Sequence, residues 1–242
     1  MLHSEGTRMS ELDHPVLVDF PLRGEWVAAH TPAHRIPSHG TDRLGQRYAY
    51  DFLRVDERRG MHFFKGSLLS YWLVGVPTSS SYCWHAPVFA PFDADVVVSK
   101  DGLSERARLH PVGDVMTVVL KTIAVNVKAR LCGVRNIDLH KYLGNHIILQ
   151  RGDIFAFFAH LCPRSVAVRK GQTVRAGDVL ARVGHTGIST APHLHFQVMD
   201  SADLLTARGI PCAFRSYQVY DRGRWRFVNN GIPDFNERIR YK

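Results

Sequence analysis

Short apolar runs alternate with polar turns along most of this chain. Residues 48–55, 88–99, 116–127, 144–150 and 154–160 are rich in β-branched and aromatic side chains and are bounded by Gly, Asp, Pro or Lys, a pattern that predicts strands. Between residues 166 and 183 the order Val166, Val168, Gly171, Val174, Gly177, Leu180, Val183 sets glycines between very short strands that can wrap a small core. Residues 16–18 predict one more strand, and residues 214–228 a hairpin with its turn at Asp221-Arg222-Gly223. Helix is expected to be scarce, with one short turn over 201–208 ended by Gly209 and Pro211. The profile is that of an antiparallel β domain.

Candidate chemistry concentrates in His193-Leu194-His195. Side chains on a strand repeat with a period of two, so both rings project from one face and can reach one metal ion or one reacting group. His39-Gly40, Tyr48-Ala49-Tyr50-Asp51 and Phe158-Ala159-His160-Leu161 supply further imidazole and carboxylate groups beside short apolar segments. The other histidines have a background claim only, with His185, in the turn before Thr186-Gly187, the nearest to an alternative. Gly187 is expected to supply backbone shape near the site.

Composition narrows the picture only partly. With 242 residues and 45% hydrophobic content the chain can bury a substantial core, and one domain with long insertions fits that length. A net charge of +9 favours anionic partners such as nucleic acid, an acidic glycopolymer or a lipid surface, and charge alone does not choose among them. The basic residues are scattered, with small groups at Arg58-Arg59, 222–226 and 238–242, and no specific nucleic-acid motif accompanies them. No apolar stretch is long enough for a transmembrane segment. The N-terminal Met1 to Arg8 is polar and lacks the apolar core of a secretory signal, so the expectation is a soluble chain, cytoplasmic by default or exported by a non-standard route. Cys83, Cys132, Cys162 and Cys212 match neither a zinc knuckle nor a disulfide-dense domain, which makes buried free thiols the expectation while leaving two bridges open.

The ordered set Gly144-Asn145-His146, Phe158-Ala159-His160-Leu161, residues 168–184, Gly187-Ile188-Ser189 and Pro192-His193-Leu194-His195-Phe196 resembles the catalytic domain of the lysostaphin-like (LytM-type) zinc metallopeptidases, over roughly residues 85–200 with a first motif at 39–51. The resemblance implies a mainly β fold, an antiparallel barrel-sandwich hybrid. It also implies one catalytic Zn²⁺ held by His39, Asp51 and His195, with His160 and His193 as the catalytic pair. Imidazole and carboxylate suit zinc, and three protein ligands leave a fourth position for a water whose pKa the metal lowers toward 7. Two more histidines beside that position can accept a proton or steady a developing oxyanion. The implied reaction is hydrolysis of a short peptide, the cross-link or stem of bacterial cell wall. The alternative is a non-catalytic relative that binds a peptide or glycan or regulates a partner.

Two departures from the family pattern stand out. The aspartate commonly follows the first histidine by four residues, whereas His39 and Asp51 are twelve apart and Asp42 is three away. Asp51 sits in a strand-like context and Asp42 in a turn-like one, so Asp51 is the expected ligand. A segment over 53–87 is also inserted, and Tyr71, Trp72, Tyr82, Trp84 and His85 are its candidates for a cleft wall. The expected organisation is an N-terminal arm over 1–36, a zinc peptidase domain over 37–200 with the 53–87 insertion, and a C-terminal extension over 201–242 packed on the same domain.

Overall fold

The computed structural model describes residues 12–56 and 62–242, so the first third of the proposed arm and the Arg58-Arg59 pair lie outside the described residues. Its strands, in chain order, are β1 (Val16–Val18), β2 (Gly24–His30), β3 (Tyr50–Leu53), β4 (Val76–Pro77), β5 (Pro87–Phe89), β6 (Ala94–Lys100), β7 (Arg108–Leu109) and β8 (Asn145–Arg151). They continue with β9 (Ile154–Leu161), β10 (Thr173–Val174), β11 (Val179–Arg182), β12 (Leu194–Met199), β13 (Gly209–Ile210), β14 (Cys212–Asp221), β15 (Arg224–Gly231) and β16 (Arg238–Tyr241). Three α-helices join them: α1 (Leu68–Leu73), α2 (Pro111–Cys132) and α3 (His140–Leu143).

Twelve strands form one sheet, in the order β1-β14-β16-β2-β3-β12-β9-β8-β6-β10, with β13 added to β12 and β15 to β14. All neighbours run antiparallel except β1 and β14. Its inner face carries the main core, where Phe20 packs edge-on against Phe52 and Phe214 at 4.9 Å between ring centroids. Leu194, Phe196 and Val198 of β12 point into that core. Their alternates His195, Gln197 and Met199 point to the other face, where Met199 joins a smaller cluster with Phe157 and Leu204.

Two expectations need correction. The sheet does not close into a barrel: its hydrogen-bonded path ends at β1 on one side and β10 on the other. Nor is the fold mainly β, because residues 116–127, read as a strand, lie inside the 22-residue helix α2, and the architecture is mixed α/β around a large, mostly antiparallel sheet. Val, Ile and Thr fill that stretch and favour strand by composition. The start and stop signals decide otherwise, with the His110 side chain capping the Gly113 N–H, Pro111 opening the first turn, and Gly133 ending the helix at φ 81°. Apart from Gly113 and Asp114 in the first turn and Asn126, no turn-forming residue interrupts the 20 or so residues between them, a length that suits a helix and not a strand. Residues 201–208 form turns. The hairpin of β14 and β15 turns at Arg222-Gly223, both at positive φ. All four cysteines are free, and Cys132 is exposed where burial was expected.

One buried group ties this fold to pH. His146 on β8 donates from Nδ1 to the Gly144 carbonyl at 2.7 Å and packs on Phe157, and burial pushes its pKa down to about 4. Between that value and the ordinary one near 6.5 the unfolded chain binds a proton that the folded chain refuses. The contribution is therefore intact above pH 6.5 and lost as pH falls toward 4, by up to about 3 kcal/mol. Thermal midpoints of the native chain and His146→Gln, measured from pH 7 to 4.5, should converge at low pH as the variant loses less. Parallel curves would refute this.

Candidate active site

Asp51, His195 and His30 meet in one row of the sheet. β3 lies between β2 and β12, and its Asp51 is paired with His195 on one side and His30 on the other. His30 reaches that row through a β-bulge, since the register shifts between Ala28 and His30. A second irregularity brings in His160. Ala159 is the partner of His195, so strict alternation would aim His160 at the opposite face. The β8–β9 register slips at this point and His160 adopts φ 60°, which turns its ring to 4.8 Å from His193 and 6.0 Å from His195 between centroids. A non-glycine residue held at positive φ is strained backbone of the kind that gathers at functional sites.

The Asp51 carboxylate is the hub. Its Oδ2 lies 2.9 Å from His30 Nδ1 and 3.0 Å from His39 Nε2, and its Oδ1 lies 2.9 Å from His195 Nδ1 and 3.4 Å from His193 Nε2. Asp51, His39, His193 and His195 are all largely buried, whereas His30 is half exposed at the rim. The ligand atoms of His30, His39 and Asp51 fall within 4.8 Å of one another, so the cluster of histidines and aspartate is capable of coordinating one metal ion.

The outer hydrogen bonds of these rings settle which nitrogen faces inward. His195 Nε2 meets Gln197 Oε1 at 2.9 Å, and the Gln197 amide is held by donating to the Leu44 carbonyl, so His195 carries its proton on Nε2. His39 Nδ1 meets Ser38 Oγ, whose own proton goes to the Gln46 carbonyl, so His39 donates outward as well. Both rings then aim a bare lone pair at a carboxylate oxygen about 3 Å away. Two acceptors at that separation call for a cation between them, and this donor set fits a metal. Among the described residues no acceptor holds Nε2 of His30, which leaves its Nδ1–H free to donate to Asp51.

Electrostatics agree with that arrangement. Burial lowers the pKa of His39 more than Asp51 raises it, which keeps the ring neutral. Burial disfavours the Asp51 carboxylate, but His193 and His39 outweigh it and hold its pKa well below the usual range. For His193, burial opposes protonation and the Asp51 charge and hydrogen bond overcome it, so its pKa is raised. His160 is pushed well down, by burial first and then by His193 and His195, and its Nδ1 donates to the Thr186 carbonyl.

A buried polar network backs His193 from behind. Arg106 Nε lies 2.8 Å from Asp114 Oδ1 in an ion pair, and Nη2 of Arg106 donates to His185 Nε2 at 2.7 Å. His185 Nδ1 then donates to Ser189 Oγ at 3.0 Å, and Ser189 Oγ, whose proton goes to the Ala191 carbonyl, sits 3.2 Å from His193 Nδ1. Gly187 shapes this loop: at φ 76°, an added Cβ would meet the Gly144 nitrogen at 2.4 Å.

Every sequence-derived candidate, His39, Asp51, His160, His193 and His195, is thus within this one cluster. Asp42 is exposed and pairs with Arg47. Of the candidate wall residues, Tyr71 packs on Phe63 and Phe64, Tyr82 donates to Asp56, Trp84 donates to Glu105, His85 stacks on Trp84, and Trp72 is exposed. Sequence reading discounted His30, held His185 only as the nearest alternative, and missed Gln197, Ser38 and the Arg106-Asp114-His185-Ser189 network. Gln197, two residues beyond His195 on the same face, carried a readable signal; the others depend on bulges or long-range contacts.

The profile of peptidase family M23 matches residues 122–206, which include His160, His193 and His195. The peptidoglycan DD-endopeptidases ShyB and ShyA of Vibrio cholerae serotype O1 are 38% and 36% identical over 61 residues, a stretch that covers 25% of this chain and 14% of each relative. An uncharacterized metalloprotease of Haemophilus influenzae is 40% identical over 55 residues, 22% of this chain and 11% of its own length. The chain therefore spans a small part of the curated relatives it matches. Among solved structures, the catalytic domain of lysostaphin from Staphylococcus simulans aligns at TM-score 0.36 and 17% identity, covering 80% of this chain and 88% of that one. Csd3 of Helicobacter pylori aligns at TM-score 0.38 and 15% identity, covering 81% of this chain and 34% of that one.

Proposed function

We propose that this chain is a zinc-dependent endopeptidase of the peptidase family M23 type that hydrolyses a short peptide in bacterial cell wall, a cross-link or stem. His39, Asp51 and His195 are the metal ligands in this reading, and His160 and His193 the catalytic histidines. The observation that carries it is the pair of locked imidazoles, His39 and His195, both turning bare nitrogens toward one carboxylate. His30 lies equally close to Asp51; in this reading its ring donates Nδ1–H to the carboxylate and supports it, while His195 completes the ligand set. Zinc bound there supplies a Lewis acid and a water acidified toward neutrality.

The chain's own groups do the rest. His160 and His193 both spend Nδ1–H on backbone carbonyls, Thr186 and Ala191, and so present Nε2 toward the cluster. From there they orient the attacking water, move its proton and steady the oxyanion of the tetrahedral intermediate. Both sit largely out of solvent, which strengthens each of those hydrogen bonds. The named activity of the Vibrio relatives supports cell-wall peptide as the substrate class. The test is incubation of zinc-loaded protein with intact cell wall and a panel of short peptides, with mass spectrometry of new amino termini. Zinc-dependent cleavage supports the proposal, whereas tight binding of one member without cleavage moves the reading to a binding protein.

Ser189 is a positioning residue in this scheme, because it reaches substrate only through His193. Ser189→Ala should lower kcat roughly fivefold, the worth of one oriented hydrogen bond of about 1 kcal/mol, with KM unchanged. Ser189→Thr, which keeps the hydroxyl, should restore most of it. A fall in thermal stability with kcat intact would mark the network as structural only.

A further inference from the structure

The surface of this protein carries one concentrated apolar region, and it lies on the helices. Among the described residues, the large exposed apolar side chains fall on α1 with its following residue and on α2, apart from Val179, Tyr220, Phe227 and Phe235. Leu69, Trp72 and Leu73 of α1 and Leu120, Ile123 and Leu131 of α2 are each more than half exposed. Only a narrow stripe of α2 touches the body. At its start Asp114 is buried against Arg106, and two turns further on Lys121 Nζ donates to the Gly187 carbonyl. A helix that is apolar nearly all round belongs in an apolar surrounding, and patches of this kind mark interaction surfaces.

Charge identifies the surrounding. Over residues 62–77 and 111–137 the basic side chains are Lys65, Lys121, Lys128, Arg130 and Arg135, and the single acidic one, Asp114, is buried and already paired. Lys65, Lys128, Arg130 and Arg135 are exposed. A second copy of the chain docked through the same ridge would bring these cations together, and the nearest exposed carboxylate, Asp138 just past the ridge, already lies beside Lys141. A layer of phosphate headgroups over hydrocarbon meets both requirements, taking the apolar side chains into the acyl boundary and pairing with the cations. No helix among the described residues is long and apolar enough to cross a membrane, so the helices would lie in the plane of the interface, with Trp72 at headgroup depth.

We propose that α1 and α2 form a docking surface for an anionic phospholipid bilayer. Through Asp114 beside His185 and Lys121 on Gly187 the docked helix rests on the loop that carries Ser189, so docking holds the histidine-aspartate cluster near the membrane. The proposal is independent of the peptidase reading, because its readout is binding.

The test uses the full chain and sedimentation with lipid vesicles, either phosphatidylcholine alone or with about a third phosphatidylglycerol. Binding should be at least roughly tenfold stronger to the anionic vesicles and should weaken between about 0.1 and about 0.5 M salt. Brominated acyl chains should quench tryptophan emission in the native chain and not in Trp72→Phe. Lys128→Gln with Arg130→Gln should weaken binding roughly 25-fold, at roughly fivefold for each basic residue. Leu120→Glu with Ile123→Glu should abolish it while circular dichroism stays native, since both positions are exposed. Should either double variant fail to fold, the lipid comparison on the unaltered chain still decides. Equal binding to neutral and anionic vesicles, no binding at all, or a dimer that Leu120→Glu with Ile123→Glu converts to monomer would each overturn the proposal.

Discussion

Asp51→Asn should take bound zinc from about one per chain to near none and abolish peptide hydrolysis with it. Asn keeps the volume of the side chain and removes the charge on which four imidazoles converge. Loss of a partner that only supports a ligand costs roughly 10- to 100-fold in metal affinity, so loss of the ligand itself should cost more. His39→Ala and His195→Ala should behave alike. His30→Ala should keep its zinc, because that ring donates to the carboxylate and its other nitrogen is not fixed. Elemental analysis of protein purified without added metal reads all four. Full zinc in Asp51→Asn, or zinc lost from Asp42→Asn, would defeat the ligand assignment. Asp42 is exposed and paired with Arg47, so its variant should match the native chain.

His160→Ala and His193→Ala should each lower turnover by roughly 10²-fold or more with zinc still bound, the size expected when a general acid–base or an oxyanion partner is removed. Neither ring is a ligand in the proposed scheme, which separates these variants from those of Asp51 and His195. His160 has a second expected signature. Its φ of 60° is strain that the bulge of β9 imposes, so His160→Gly should be more stable than His160→Ala while being equally inactive. A variant that loses zinc together with activity would make its histidine a ligand and overturn the division of roles.

Parts of the site were legible because they obey local rules. His193 and His195 share a strand face by the period of two, and the preference for Asp51 over Asp42 followed from strand and turn contexts that β3 and the exposed Asp42-Arg47 pair now display. The twelve-residue separation of His39 and Asp51 had no evident purpose in sequence. In the structure the intervening turn, Arg43–Tyr48, presents the Gln46 carbonyl to Ser38 and the Leu44 carbonyl to Gln197, and through them orients both His39 and His195. His30 was passed over because a bulge, and not the regular alternation, brings it opposite Asp51.

By itself the sequence determined the short-strand architecture over most of the chain through its periodicity, and it placed imidazole and carboxylate beside short apolar segments; that these form a hydrolytic metal site was what the family resemblance implied. Only the tertiary structure decided that the sheet stays open and which ring nitrogens face the carboxylate, whereas the 22-residue helix rests on local start and stop signals that its β-branched composition masked. The reason is physical in each case. Closure depends on what the end strands β1 and β10 pair with, helix against strand on caps and length outweighing side-chain preference, and tautomer on acceptors such as Gln46 O and Gln197 Oε1 that contacts across the fold bring into reach.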